Sequence, residues 1–155
     1  MPPWGAVKGV GEFLDDPSLS QPEIDLLVSW VEGGAPEGEP VYLPPAPRFE
    51  STPEPKPPAK AEMHSLASSA PWTLEQPLRL VSVRPLELPE GGSLEVMAAC
   101  PDGSVKHLIW LRDYRKEWQR TFVFQNPVSL PRGTRLSVWS AAPATVAIAT
   151  AKPER

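Results

Sequence analysis

The stretch Leu94-Glu95-Val96-Met97-Ala98-Ala99, then Pro101-Asp102-Gly103, then Val105-Lys106-His107-Leu108-Ile109-Trp110-Leu111, decides the fold class of this chain. In the first run every second residue is apolar and small or aliphatic: Leu94, Val96 and Ala98. The residues between them would point to the other face of a strand. The second run alternates in the same way, and Pro-Asp-Gly between them is a turn signal. The pattern predicts two strands joined by a turn.

The same period of two recurs on both sides of this stretch. Turn signals such as Pro89-Glu90-Gly91-Gly92 and Pro131-Arg132-Gly133 separate the runs. Their positions are Leu78 to Val83, Thr121 to Gln125, Arg135 to Ser140 and Val146 to Thr150. We therefore predict a mainly β fold, an antiparallel β-sandwich of six to seven short strands over residues 72–152.

Proline separates this region from the amino-terminal part of the chain. Eight of the 22 prolines fall between Pro40 and Pro58, where fixed φ angles and missing amide donors favour extended polyproline II. With the residues up to Ala70 included, the composition predicts a Pro-rich linker over residues 40–71. The remaining unit, residues 1–39, precedes it.

One short α-helix is predicted in that first unit, over residues 20–33. Ser20-Gln21-Pro22-Glu23 has the form of a capping box, and Gly33-Gly34 is a typical helix end. Between them the apolar residues recur at i, i+3, i+4 and i+7, namely Ile24, Leu27, Val28 and Val31. Because a helix of about three turns is marginal alone in water, this stripe needs a partner.

The order of short motifs in residues 1–47 resembles the C-terminal part of a cytochrome c-like domain. The motifs are Met1-Pro2-Pro3-Trp4, a Gly-x-Phe turn at Phe13, the capped helix and Gly34-Ala35-Pro36-Glu37-Gly38. This resemblance implies that Met1 is the axial ligand of haem iron. Haem c is expected only if a Cys-x-x-Cys-His lies upstream, since Cys100 is the one cysteine of the chain. We expect no cofactor in the chain as it stands.

Residues 78–140 resemble the C-terminal β-sandwich of copper type II, ascorbate-dependent monooxygenases. The matching motifs are Pro101-Asp102-Gly103, Tyr114-x-x-x-Trp118-Gln119-x-Thr121-Phe122 and Pro127 to Leu136. That family holds its catalytic copper with a His-x-His and a methionine, ligands that suit Cu(II) and Cu(I). The His-x-His position falls near Arg84-Pro85-Leu86-Glu87, which has no histidine, and Ala144 to Ala151 has no methionine.

The two histidines, His64 in the predicted linker and His107 in a strand, cannot replace a three-ligand copper site. We therefore expect no metal site and no catalytic residue in the chain. His107 is interpreted as an ordinary strand residue, Met97 as core packing and Cys100 as a buried thiol. Two interpretations of the charged segment Arg112 to Arg120 stay open. It is either a docking surface for an acidic partner or a solvated loop whose charges pair with one another.

Charge divides the chain where the prolines do. Residues 1–71 carry 4 Lys/Arg against 11 Asp/Glu, and residues 72–155 carry 11 against 8. Because residues 1–71 are acidic and residues 72–155 are only weakly basic, nucleic acid and anionic membranes are disfavoured as partners. No run of 18 apolar residues occurs, so no membrane span is expected. We expect a periplasmic or extracellular location if a signal peptide lies upstream, and a cytoplasmic one if Met1 is the true start.

Three functions stay open. The first is a non-catalytic remnant or C-terminal part of a bacterial electron-transfer protein, in which a cytochrome c-like part is fused to a sandwich that binds a protein partner or serves a structural purpose. The second is an independent interaction protein, a β-sandwich with an acidic flexible amino-terminal tail. The third is an oxidoreductase related to copper-dependent monooxygenases, which the missing copper ligands disfavour.

Overall fold

The computed structural model describes residues 5–46, 48 and 54–152. The chain divides into two compact units. Met1–Asp16 and Glu54–Arg155 form the first, and Pro17–Pro53 form the second. The predicted boundaries at residues 39 and 71 differ from this division, because residues 5–16 and the chain from Glu54 onward group with the sandwich.

The first unit is an antiparallel β-sandwich, which confirms the predicted fold class. One sheet has the order β1-β8-β3-β6 and the other β2-β7-β4-β5. The strands are β1 (Glu62–Ala67), β2 (Trp72–Thr73), β3 (Leu78–Glu87), β4 (Leu94–Ala99), β5 (Val105–Leu111), β6 (Phe122–Leu130), β7 (Arg135–Ser140) and β8 (Thr145–Ala151). All pairings between them are antiparallel.

The described residues hold eight strands where six to seven were predicted. The difference arises mainly at β1, which lies inside the predicted linker 40–71. Its backbone pairs with β8 from Glu62 opposite Thr150 to Ala67 opposite Thr145. Only Leu66 of β1 is buried, so the run carries no clear apolar alternation, and a partner almost ninety residues away stabilises it as a strand.

The core lies between the two sheets and is almost wholly apolar. Alternate residues of β4 supply its middle, where Leu94, Val96 and Ala98 are fully buried as the period of two predicts. The opposite sheet contributes the following large buried side chains: Leu66, Leu80, Val83, Phe122, Phe124, Leu130, Val146 and Ile148. Burial of this apolar surface is the main stabilising contribution to the unit.

Residues 5–14 lie along one side of the sandwich. Ala6 pairs with Leu111 of β5, and Phe13 pairs with Phe124 of β6. Because β5 and β6 are the edge strands of different sheets, this segment spans the gap between the two sheets. The Phe13 ring is buried there, 5.0 Å from the ring of Phe124 and 5.5 Å from that of Phe122.

The second unit contains α1 (Gln21–Glu32), which confirms the predicted helix. The Glu23 carboxylate accepts hydrogen bonds of 2.7 Å from both the N–H and the hydroxyl of Ser20. Gly34 follows with φ +86°, a left-handed conformation that favours glycine at a helix end. None of the helix residues is buried. Among the described residues, no helix combines the length and apolarity needed to cross a membrane.

Candidate functional site

Met1, the predicted axial haem ligand, lies outside the described residues, as do Pro2, Pro3 and Trp4. The prediction that Met1 binds haem iron therefore stays a prediction. Phe13, the aromatic residue of the Gly-x-Phe turn in the same resemblance, packs against Phe122 and Phe124 of the sandwich.

The two histidines lie on different sheets. His64 is in β1, on the edge beside β2, and His107 is in β5, on the edge beside the amino-terminal segment. The part of the chain that the structure describes holds no group of three or more His, Cys, Asp or Glu side chains that could bind a metal.

The position expected for the His-x-His falls within β3. Arg84 occupies it with a structural contact, since its Nη1 donates a hydrogen bond of 3.1 Å to Thr121 Oγ1. The same guanidinium lies 3.3 Å from the Glu54 carboxylate. Arg84 thus ties β3 to the residues before β1 and β6, and it offers no electron pair to a metal.

A cleft of about 370 Å³ opens at the β1–β2 side of the sandwich. The His64 ring packs on the Trp72 ring with 4.6 Å between centroids and 35° between planes. The contact joins the two sheets, because β1 is an edge strand of one and β2 is an edge strand of the other. His64 Nε2 lies 3.2 Å from Thr150 Oγ1 of β8, which orients the imidazole over the indole.

Charged and polar groups surround this aromatic pair. Two carboxylates, Glu62 and Glu75, line the cleft together with the amide of Gln76 and the ammonium of Lys152. Leu74 and Leu78 supply apolar lining. Carboxylates in a cleft suit a cationic group, through charge-assisted hydrogen bonds.

Sequence reasoning missed this cleft. His64 was assigned to a linker, and Trp72 was seen only as the start of the sandwich. The one signal for a strand here was the i, i+2 pair of His64 and Leu66, whose side chains would point to the same, inward face. It was too short to outweigh the prolines just before it.

The outward face of the second sheet carries a separate polar and aromatic row. Glu95 of β4 is opposite Trp110 of β5 and Trp139 of β7. The Glu95 carboxylate pairs with Nδ1 of His107. His107 is therefore a strand residue with a surface partner, in agreement with its interpretation. Met97 was expected in the core but lies half-buried on this outward face, because it alternates with the inward-facing Val96.

The segment Arg112 to Arg120 contains an ion pair and two contacts between a guanidinium and an indole ring, and both interpretations of it stay open. The guanidinium of Arg112 lies 5.7 Å from the Trp110 ring centroid, and that of Arg115 lies 5.3 Å from the Trp118 ring centroid. Arg115 also lies 3.9 Å from the Glu117 carboxylate. Cys100 is buried, as expected for a structural thiol.

No protein-family model matches this chain, and no curated protein matches it either.

Proposed function

We propose that the sandwich is a non-catalytic binding module that takes a cationic side chain of a partner protein into the His64–Trp72 cleft. The observation that carries this proposal is the cleft itself, a concave site lined by an aromatic pair and by charged and polar residues. Concave sites with a few placed polar groups are the usual ligand sites of proteins.

The cleft favours a cation over an anion. Its lining has two carboxylates, Glu62 and Glu75, against the single ammonium of Lys152. His64 already packs on the Trp72 ring, so the preference for a cation comes from the two carboxylates. A guanidinium suits the two carboxylates best, because its planar fork donates paired hydrogen bonds to them.

The test is a nuclear magnetic resonance titration of the ¹⁵N-labelled chain with N-acetyl-arginine amide. Trp72→Phe assigns the Trp72 indole signal among the six tryptophans. We expect that signal to shift with a Kd in the millimolar range, typical of a single side chain. Glu75→Gln is expected to weaken binding about threefold, whereas Glu37→Gln, in the other unit, leaves it unchanged. An unchanged Trp72 signal at saturating probe would refute the cleft as the binding site.

We further propose that this module is the C-terminal part of a periplasmic or extracellular electron-transfer protein. The order of the two resemblances along the chain supports this, as does a capped helix followed by Gly-Gly in the first of them. Met1 would then bind the iron of a haem attached upstream.

The test is the absorption spectrum of the protein produced with the reading frame that precedes the Met1 codon. We expect the reduced-minus-oxidised bands of haem c. A frame without Cys-x-x-Cys-His would exclude the electron-transfer role, and it would leave the cleft titration unaffected. The two parts of the proposal therefore fail separately.

The second candidate is an independent interaction protein, and one observation favours it. Residues 5–14 pack along β5 and β6 as part of the sandwich unit, so this stretch belongs to the sandwich and not to a separate domain. A stop codon or a ribosome-binding site directly 5′ of the Met1 codon would support this candidate over the first.

A further inference from the structure

Helix α1 exposes an unusual amount of apolar surface for its length. Ile24, Leu27, Val28 and Val31 form the i, i+3, i+4, i+7 stripe, and they are 40%, 49%, 48% and 61% exposed. Twelve residues of helix are marginal in water without burial of such a stripe. Exposed apolar patches of this kind mark surfaces that contact another molecule.

The helix is nevertheless well defined at both ends. Ser20 and Glu23 complete the capping box at its start. At its end the Ala35 N–H donates to the Trp30 carbonyl, and the Trp30 indole Nε1 donates to the Pro36 carbonyl at 3.2 Å. These contacts order the helix before any partner arrives, which lowers the entropy that binding would cost.

Charge around the stripe identifies the kind of partner. At about 100° per residue, Glu23 lies on one side of the stripe and Glu32 on the other, and α1 contains no Lys or Arg. Glu32 stands in the last turn, where the helix dipole disfavours a negative charge. A carboxylate that weakens the isolated helix becomes favourable when a cation of another surface faces it.

This charge pattern argues against two other occupants. The same helix of a second copy would bring carboxylates against carboxylates, and an anionic lipid surface would repel the helix. We propose that α1 docks as a helix-in-groove ligand into an apolar groove of a partner protein whose rim carries Lys and Arg. The surface differs from the His64–Trp72 cleft, so this inference goes beyond the proposed binding module.

The first step of the test is site-specific photo-crosslinking of the full chain in the cells that produce it. A photoreactive residue replaces Leu27 on the stripe or, as the matched control, Ser29 on the polar face. We expect a protein adduct at position 27 and a much weaker one at 29. No adduct at 27, or an adduct only with lipid or with a second copy of the chain, would overturn the proposal.

The second step measures binding of the purified crosslinked protein to the full chain by calorimetry. Leu27→Asp is expected to weaken binding about 30-fold or more, as for a buried anchor, and Ser29→Asp to leave it within about twofold. Glu32→Gln should weaken binding several-fold although it relieves the unfavourable dipole contact. Affinity should also fall several-fold between 50 and 300 mM salt, roughly the range over which surface charge is screened. Binding unaffected by Leu27→Asp, Glu32→Gln or salt would overturn the proposal.

Discussion

At the scale of single residues, Glu54 connects the chain before β1 to the body of the sandwich. Its carboxylate accepts a hydrogen bond from the Thr121 N–H and faces the Arg84 guanidinium at 3.3 Å. Partial burial opposes its ionisation, yet the Thr121 hydrogen bonds and the charges of Arg84 and Arg120 outweigh this and hold the pKa of Glu54 below its ordinary value.

The sign of the resulting pH dependence follows from that lowered pKa. The folded chain keeps Glu54 ionised at a pH where the unfolded chain has begun to protonate it. The contribution to stability is therefore present above the ordinary pKa of 4.5 and is lost as pH falls through the lower, folded pKa.

We predict that Glu54→Gln lowers the free energy of unfolding at pH 7 by less than about 1 kcal/mol, because the pair is partly exposed to solvent. The difference between variant and parent should narrow as pH falls below 4.5. Urea unfolding at pH 7 and pH 3 measures this. Glu117→Gln serves as the control, since its carboxylate lies at the surface beside Arg115, and a constant difference at both pH values would contradict the prediction.

Among the structural elements, residues 5–14 cover the edge strands β5 and β6. Edge strands present unpaired backbone groups, and folded proteins usually cover them. The segment pairs with β5 through Val7, whose N–H donates to the Trp110 carbonyl at 2.8 Å. It pairs with β6 through Leu14, whose N–H donates to the Val123 carbonyl at 2.8 Å. One irregular stretch thus protects edges of both sheets.

We predict that Phe13→Ala lowers the free energy of unfolding by about 3–5 kcal/mol, the usual cost of removing a buried phenylalanine. The ring fills the space between the sheets, where it contacts Phe122 and Phe124. Urea unfolding followed by far-ultraviolet circular dichroism measures the change.

The matched control is Leu26→Ala, which removes an apolar side chain that is 70% exposed on α1. We expect it to change the sandwich transition by less than about 0.5 kcal/mol. Equal midpoints for Phe13→Ala and the parent would show that residues 5–14 do not stabilise the sandwich.

The two elements with the clearest contrast in predictability are α1 and β1. Helix α1 depends on contacts within about four residues, so Ser20, Glu23 and Gly34 were enough to predict it. Strand β1 depends on pairing with β8, from Glu62 opposite Thr150 onward. Because β1 comes just after a run of prolines and has no clear apolar alternation, its sequence alone predicted a linker where the structure has a strand.

At the scale of the whole molecule, the sandwich and its site were predictable to different degrees. The alternation in β3 to β8 was sufficient for the fold class, because inward and outward side chains differ in polarity wherever one face of a strand is buried. The cleft was not predictable, since it needs the edges of two sheets to meet. His64 and Trp72 are close in sequence, but Thr150, which orients His64, comes from the other end of the sandwich sequence.

Residue types alone are enough to predict the period of two in the strands, the capped helix and the proline-rich break, and they show that no His-x-His lies near Arg84. Each of these depends on residue type and on neighbours a few positions away. Long-range packing, in contrast, places Phe13 in the sandwich core and makes β1 a strand. It alone also brought the His64–Trp72 pair together with carboxylates in one cleft. These contacts join residues far apart in the chain, and burial between the two sheets stabilises them where local propensity does not.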